Sequence, residues 1–162
     1  MKVAEVYAQL SSAERLKVGA VIVKNDTIIG IGYNGMPSGW ANTCEKKEFM
    51  PEDAGSLLSP EEIEEKWPNE ERGKRYRSVT KDEVIHAESN AISKVAKSTN
   101  STEGSYLFVT HAPCIHCAKL IHQSGITRVF YKESYRDDSG LKFLDKCGVK
   151  VLKITSDYEV EN

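Results

Sequence analysis

The chain has 162 residues, 40% of them hydrophobic and 28% charged, the size and balance of one domain that buries a core without disulfide staples. Its 22 Lys and Arg against 24 Asp and Glu give a formal net charge of -2, which disfavours a dedicated nucleic-acid binder, since such a protein must neutralise several phosphates. Four cysteines, Cys44, Cys114, Cys117 and Cys147, are too sparse for a disulfide framework and point to a reducing compartment.

Residues 1–19 mix charges among their apolar positions and lack the apolar run of a signal peptide. No later segment approaches the roughly 20 apolar residues that span a bilayer. A soluble, cytoplasmic protein with no membrane partner is expected. Val3, Val6, Tyr7 and Leu10 stand at helical spacing and predict a short helix that ends at Ser11-Ser12. Val18 to Val23 and Thr27 to Ile31 are β-branched runs separated by the polar turn Lys24-Asn25-Asp26, the pattern of a β-hairpin. The following stretch, GYNGMPSG at 32–39, holds four glycines or prolines in eight positions. It is expected to be an irregular, functional loop whose backbone approaches a ligand.

Residues 45–82 are charged and poor in periodicity, which predicts an insertion with a solvated surface. Within it Ser59-Pro60-Glu61-Glu62 is a helix start signal. From His86 onward the pattern alternates. A helix with Ala87, Ala91, Ile92, Val95 and Ala96 on one face precedes a strand at 106–109. A helix over 114–123, a strand at 129–131, a helix near 141–144 and a last strand at 149–154 follow. Strands joined through helices of about ten residues run parallel. The expected fold class is therefore α/β: a mixed sheet with an antiparallel hairpin at one side, three parallel strands at the other, and helices on both faces.

The chemistry concentrates at His86-Ala87-Glu88 and Pro113-Cys114-Ile115-His116-Cys117, each at a predicted helix start. His86, Cys114 and Cys117 make up the three-ligand set of a tetrahedral catalytic Zn²⁺ that keeps one position for water. Helix N-termini favour thiolate over thiol. Alone, Cys114 and Cys117 read equally well as a redox pair or half of a structural zinc site. A Cys₄ site lacks its second pair, however, and a redox site leaves His86 and Glu88 without a role. H-x-E followed by P-C-x-x-C resembles the signature of zinc nucleobase deaminases. That resemblance implies that zinc brings the pKa of bound water to about 7, and that Glu88 is the proton carrier and not a ligand. Three ligands being supplied, His116 is expected to be exposed, and His111, at a strand end, to face the substrate.

Further runs narrow the family: V-G-A-V-I-V (18–23), G-Y-N-G-M-P (32–37), H-A-E-S-N-A-I (86–92), Y-L-F-V-T-H-A-P-C-I-H-C (106–117) and Y-K-E-S-Y (131–135). Together they resemble deoxycytidylate (dCMP) deaminases in a compact form similar to phage and bacterial members, over nearly the whole chain. The resemblance implies a three-layer αβα cytidine-deaminase-like fold with a five-stranded mixed sheet, a single domain over 1–162, and hydrolysis of dCMP to dUMP. It also implies a homo-hexamer activated by dCTP and inhibited by dTTP, with Mg²⁺ accompanying the effector. By the same likeness Asn34, Tyr135, Ser12, Lys17 and Ala112 would bind substrate, and Lys24, Asn25, Gly32, Tyr33, Gly35, Asn42 and Lys97 would bind effector. A turn-only role for Asn34 and a packing role for Tyr135 remain open. Other open readings are a tRNA-adenosine or free-cytidine deaminase and a non-catalytic zinc-binding nucleotide sensor. Some phage relatives carry a second, structural zinc. Here Ala13-Glu14 occupies the place of their N-terminal cysteine and no histidine lies between Cys44 and His86, so one zinc per chain is expected.

Overall fold

The computed structural model describes residues 1–135, 137–155 and 159–160. After the helix α1 (Lys2–Ala8) come strands β1 (Gly19–Lys24), β2 (Thr27–Tyr33) and β3 (Glu45–Phe49), then helices α2 (Ala54–Leu57) and α3 (Pro60–Lys66). Strands β4 (Asn69–Glu71) and β5 (Lys74–Thr80) follow, then α4 (Ala87–Ala96), β6 (Tyr106–His111), α5 (Ile115–Gln123), β7 (Arg128–Glu133), α6 (Ser139–Lys146) and β8 (Lys150–Lys153).

Five strands form a sheet in the order β2-β1-β6-β7-β8. The β1–β2 and β1–β6 pairs are antiparallel, whereas β6–β7 and β7–β8 are parallel. Asn25 and Asp26, both at positive φ, close the β1–β2 hairpin, the conformation a type I′ turn requires. Ala20 and Ile22 on β1 share one face with Leu107 and Val109 of β6, and bury against α4, α5 and α6 through Ala91, Val95, Ile121 and Leu144. Gly19 points the other way, onto α1. The helix layers on the two faces give the expected αβα arrangement. No helix among the described residues is long and apolar enough to cross a membrane.

Two local readings of the sequence are corrected. Ala4 and Ala8 form the buried face of α1, while Val3, Val6 and Leu10 are exposed; the larger apolar residues cannot fit where α1 lies against the backbone at Gly19. The region 32–39 is also not irregular throughout, because β2 continues through Gly32 and Tyr33. A Cβ at Gly32 would lie 2.1 Å from the Ala87 carbonyl oxygen and 2.6 Å from the Ala91 nitrogen. This glycine is therefore a close-packing site between β2 and the start of α4.

Residues 45–82 hold more structure than one helix. The Ser59 signal is realised: its hydroxyl accepts from the Glu62 N–H, and the Glu62 carboxylate accepts from the Ser59 N–H. Around it β3, β5 and β4 make a second, antiparallel three-stranded sheet. Its strands show little hydrophobic alternation because much of this sheet is exposed, with Phe49 and Tyr76 rings 5.8 Å apart and Lys47 paired to Glu71 at 2.7 Å.

Replacing Gly32 with Ala is expected to push α4 off the sheet and to cost about 1–3 kcal/mol, the usual scale of overpacking. Urea denaturation reads this as a lower midpoint at unchanged slope. An unchanged midpoint would contradict the close approach.

Candidate active site

Two helix starts build the site. His86 is the N-cap residue of α4 and Cys114 that of α5, and neither side chain caps its own helix. Ser, Thr, Asp or Asn at such positions would satisfy a free N–H; these two side chains turn toward each other instead. Nδ1 of His86 lies 3.6 Å from the Cys114 Sγ and 3.4 Å from the Cys117 Sγ. The ligand atoms of all three residues fall within 4.8 Å of one another. Bond lengths of about 2.3 Å to sulfur and 2.0–2.1 Å to nitrogen around a tetrahedral zinc place N and S about 3.6 Å apart, so the trio fits that ion. Among the described residues it is the one His, Cys, Asp and Glu group with such spacing. Pro113 precedes the N-cap and does not itself open the helix.

The backbone around Cys114 is fixed from two sides. The Ala112 N–H donates to the Glu133 carbonyl at 2.8 Å, tying the loop to the end of β7. Gly140 of α6 lies so close that a Cβ there would sit 2.1 Å from the Pro113 carbonyl oxygen.

The two thiols share their protons unequally. Accepting a hydrogen bond from Cys117, aided by His86, brings the Cys114 pKa down to about 3. Donating that bond, together with burial, drives the Cys117 thiol well up. His86 is raised, chiefly by its hydrogen bond with Cys114. Glu88 is buried in the first turn of α4, 4% exposed, and burial raises its carboxyl above the ordinary glutamate range. A carboxyl whose protonated form is made more accessible in this way suits a proton carrier.

His86, Cys114 and Glu88 face a cavity of about 110 Å³, while Cys117 is buried within reach of His86 but off the cavity wall. Asn34, Ala112 and Tyr135 also line it, as does His111. Asn34 uses its amide on the chain: Oδ1 accepts from the Val18 N–H and Nδ2 donates to the Leu16 carbonyl, both at 2.8 Å. The turn reading of this residue thus has a concrete counterpart, placed on the cavity wall. The Gly19 N–H donates to Thr110 Oγ1 at 3.2 Å, and that hydroxyl lies 3.1 Å from Nδ1 of His111. Burial lowers the His111 pKa, which favours the neutral ring.

Ser12 and Lys17 do not line this cavity. Ser12 Oγ lies 3.2 Å from the Cys44 Sγ and Lys17 is exposed, because the segment presents Ala13, Leu16 and Val18 inward. Those three, with Thr80 and Val84, complete the wall. Sequence reasoning missed them: Thr80 lies in the charged stretch read as solvated surface, and no local signal marks Leu16. His116 is exposed, and His122 sits edge-on to Phe143 at 6.2 Å.

Of the residues expected at an effector site, Tyr33, Gly35, Asn42 and Lys97 line a second cavity of about 540 Å³, with Ser12, Trp40 and Lys94. Lys24, Asn25 and Gly32 do not. The first two sit at the hairpin tip, at the opposite end of β2 from Tyr33, where Lys24 Nζ donates to the Ser101 carbonyl at 3.1 Å. Gly32 is covered by α4.

Zinc ligation by both cysteines requires release of the Cys117 proton, so zinc affinity is expected to rise with pH and binding to release protons. Competition with a chelator across pH 5.5 to 8.5 checks the sign. Affinity independent of pH would contradict the thiol pairing.

Residues 1–133 match the family described as the cytidine and deoxycytidylate deaminase zinc-binding region. The deoxycytidylate deaminase of enterobacteria phage T4 is 37% identical over 95% of this chain and 87% of its own length. The Homo sapiens deoxycytidylate deaminase is 32% identical over 96% and 84%. In three dimensions, the dCMP deaminase of cyanophage S-TIM5, crystallised with dCMP and dUMP, superposes with a TM-score of 0.72 at 39% identity, over 94% of this chain and 92% of that one. A family match across most of the chain, on a fold that brings His86, Cys114 and Cys117 around one point, leads to one conclusion: the chain belongs to the cytidine and deoxycytidylate deaminase zinc-binding family.

Proposed function

We propose that this chain hydrolyses dCMP to dUMP and ammonia, as a single domain over 1–162 with residues 45–82 as an insertion. The observation that carries the reading is a buried carboxyl, Glu88, that shares one cavity wall with His86 and Cys114, the latter two grouped with Cys117 as a metal-ligand trio. The dCMP deaminases that cover most of the chain support the choice of nucleotide.

One zinc per chain, held by His86, Cys114 and Cys117, supplies water activated near pH 7. The remaining work falls to the protein. Hydrolysis breaks the bond between the ring carbon and its amino nitrogen, and both water protons end on nitrogen. Glu88 takes the first proton and gives it to the ring nitrogen, then carries the second to the departing amino group. His111, whose Nδ1 lies 3.1 Å from the Thr110 hydroxyl, presents its ring to the substrate from the cavity wall. Asn34, Ala112 and Tyr135 shape the pocket around base and sugar, and Tyr135 offers a hydroxyl to the 5′-phosphate.

The second cavity is the candidate effector site, taking dCTP as activator and dTTP as inhibitor with Mg²⁺. Lys94 and Lys97 supply positive charge there, and Tyr33 and Trp40 supply aromatic surface. The assembly is a homo-hexamer working in the cytoplasm, that of the host if the chain is phage-encoded. Neither a nucleic-acid nor a membrane partner is invoked.

Ammonia release from dCMP, CMP, cytidine and dCTP, each with and without added dCTP or dTTP, tests the proposal. Preference for dCMP, stimulation by dCTP and repression by dTTP are expected; equal turnover with and without the 5′-phosphate would contradict it. In the same assay Glu88→Gln should retain zinc and lose at least about 10²–10⁴-fold in kcat, the scale of general acid–base catalysis.

A further inference from the structure

The first wall of the substrate cavity is not a helix or a strand. Residues 11–18 run as a strap between α1 and β1 without regular structure, yet Ala13, Leu16 and Val18 of this strap line the cavity. A segment with no ladder of its own must be held by side chains, and three attachments are present. Asn34 holds Leu16 and Val18, and Ser12 meets the fully buried Cys44. The third is Glu45, the first residue of β3, whose Oε1 accepts from the backbone N–H groups of Glu14 at 3.0 Å and Arg15 at 3.3 Å.

Glu45 is 9% exposed. A carboxylate so buried is costly unless its charge is met by donors, and two amides converging on one oxygen are charge-assisted bonds. Glu45 stands opposite Thr80 in the β3–β5 register. Thr80 lines the cavity, and its hydroxyl accepts from the Arg15 guanidinium at 3.3 Å. The second sheet therefore reaches the strap twice, through Glu45 and through Thr80.

We propose that Glu45 is a positioning residue for substrate binding: its carboxylate holds the Ala13–Leu16 turn of the strap, and so keeps the substrate cavity in its binding shape. The proposal rests on the dCMP reading above. It assigns to residues 45–82 a part in building the substrate site, beyond that of an inserted surface. Because His86, Glu88, Cys114 and Cys117 sit at the starts of α4 and α5, whose buried faces pack on the main sheet with Val18 as the one strap residue against that core, loss of the Glu45 cap should weaken binding of ground and transition states alike. Such a change raises KM and leaves kcat.

The test uses the full-length, zinc-loaded protein with Glu45→Ala, Glu45→Asp and Glu45→Gln. Zinc content and thermal melting establish that each is folded. With dCMP, Glu45→Ala is expected to raise KM by roughly tenfold with kcat within about twofold, the scale of one charge-assisted hydrogen bond lost. Glu45→Gln keeps an acceptor oxygen in reach and should restore KM toward the wild-type value; Glu45→Asp withdraws it by one methylene and should fall between. Amide exchange at Glu14 and Arg15 should lose protection in the Ala variant and keep it in the Gln variant. A folded Ala variant with wild-type KM overturns the proposal, as does a parallel fall in kcat that Gln does not rescue. If the Ala variant does not fold, equal KM for Asp and Gln overturns it. A wild-type protein that releases no ammonia from dCMP contradicts the proposed function instead, and the exchange measurement still decides whether Glu45 holds the strap.

Discussion

The starts of α4 and α5 are brought within bonding distance of one another, and both present the positive end of a helix dipole with unfilled backbone N–H groups. Two like ends so close call for negative charge between them. The Cys114 thiolate, held by the bond from the Cys117 thiol, provides it, and with zinc bound Cys117 would lose its proton and supply a second. A Ser, Thr, Asp or Asn at the His86 position would add about 0.5–2 kcal/mol of helix capping, which this position gives up for ligand chemistry. The rest of the structure serves this meeting point. Gly32 lets α4 lie against β2, and Gly140 lets α6 press on the Pro113 to Cys114 backbone.

The second feature that organises the molecule is how neighbouring residues divide between two cavities. Ser12 faces the larger cavity and Ala13 the smaller; Tyr33 and Asn34 divide the same way, as do Ile85 and Val84. Gly35 and Ile85 pair as an isolated bridge, which ties two of these segments together. The two chambers are in this sense sides of one partition.

Much of this was legible in the sequence where chemistry or backbone conformation is local. The histidine, glutamate and two cysteines announce themselves by spacing, Asn25-Asp26 by its turn preference, and Ser59 by its capping box. The unseen parts depend on tertiary context. Ser12 and Lys17 carry suitable side chains, yet the strap keeps them off the cavity beside His86 and Glu88 and presents Ala13 and Leu16, whose small or apolar character signals nothing. The strands of the second sheet hide because charged and half-exposed residues leave no period-two pattern. Val3, Val6 and Leu10 marked α1 by their spacing, whereas the close approach at Gly19 makes Ala4 and Ala8 its buried face.

The central claim is that one metal held at the junction of α4 and α5 serves hydrolysis of dCMP with Glu88. Ammonia release from dCMP, measured while zinc is titrated into chelator-stripped protein, tests it most directly. Turnover should rise in proportion to zinc and level off at one ion per chain. Full turnover by the stripped protein, or a plateau reached only at two ions per chain, would contradict it.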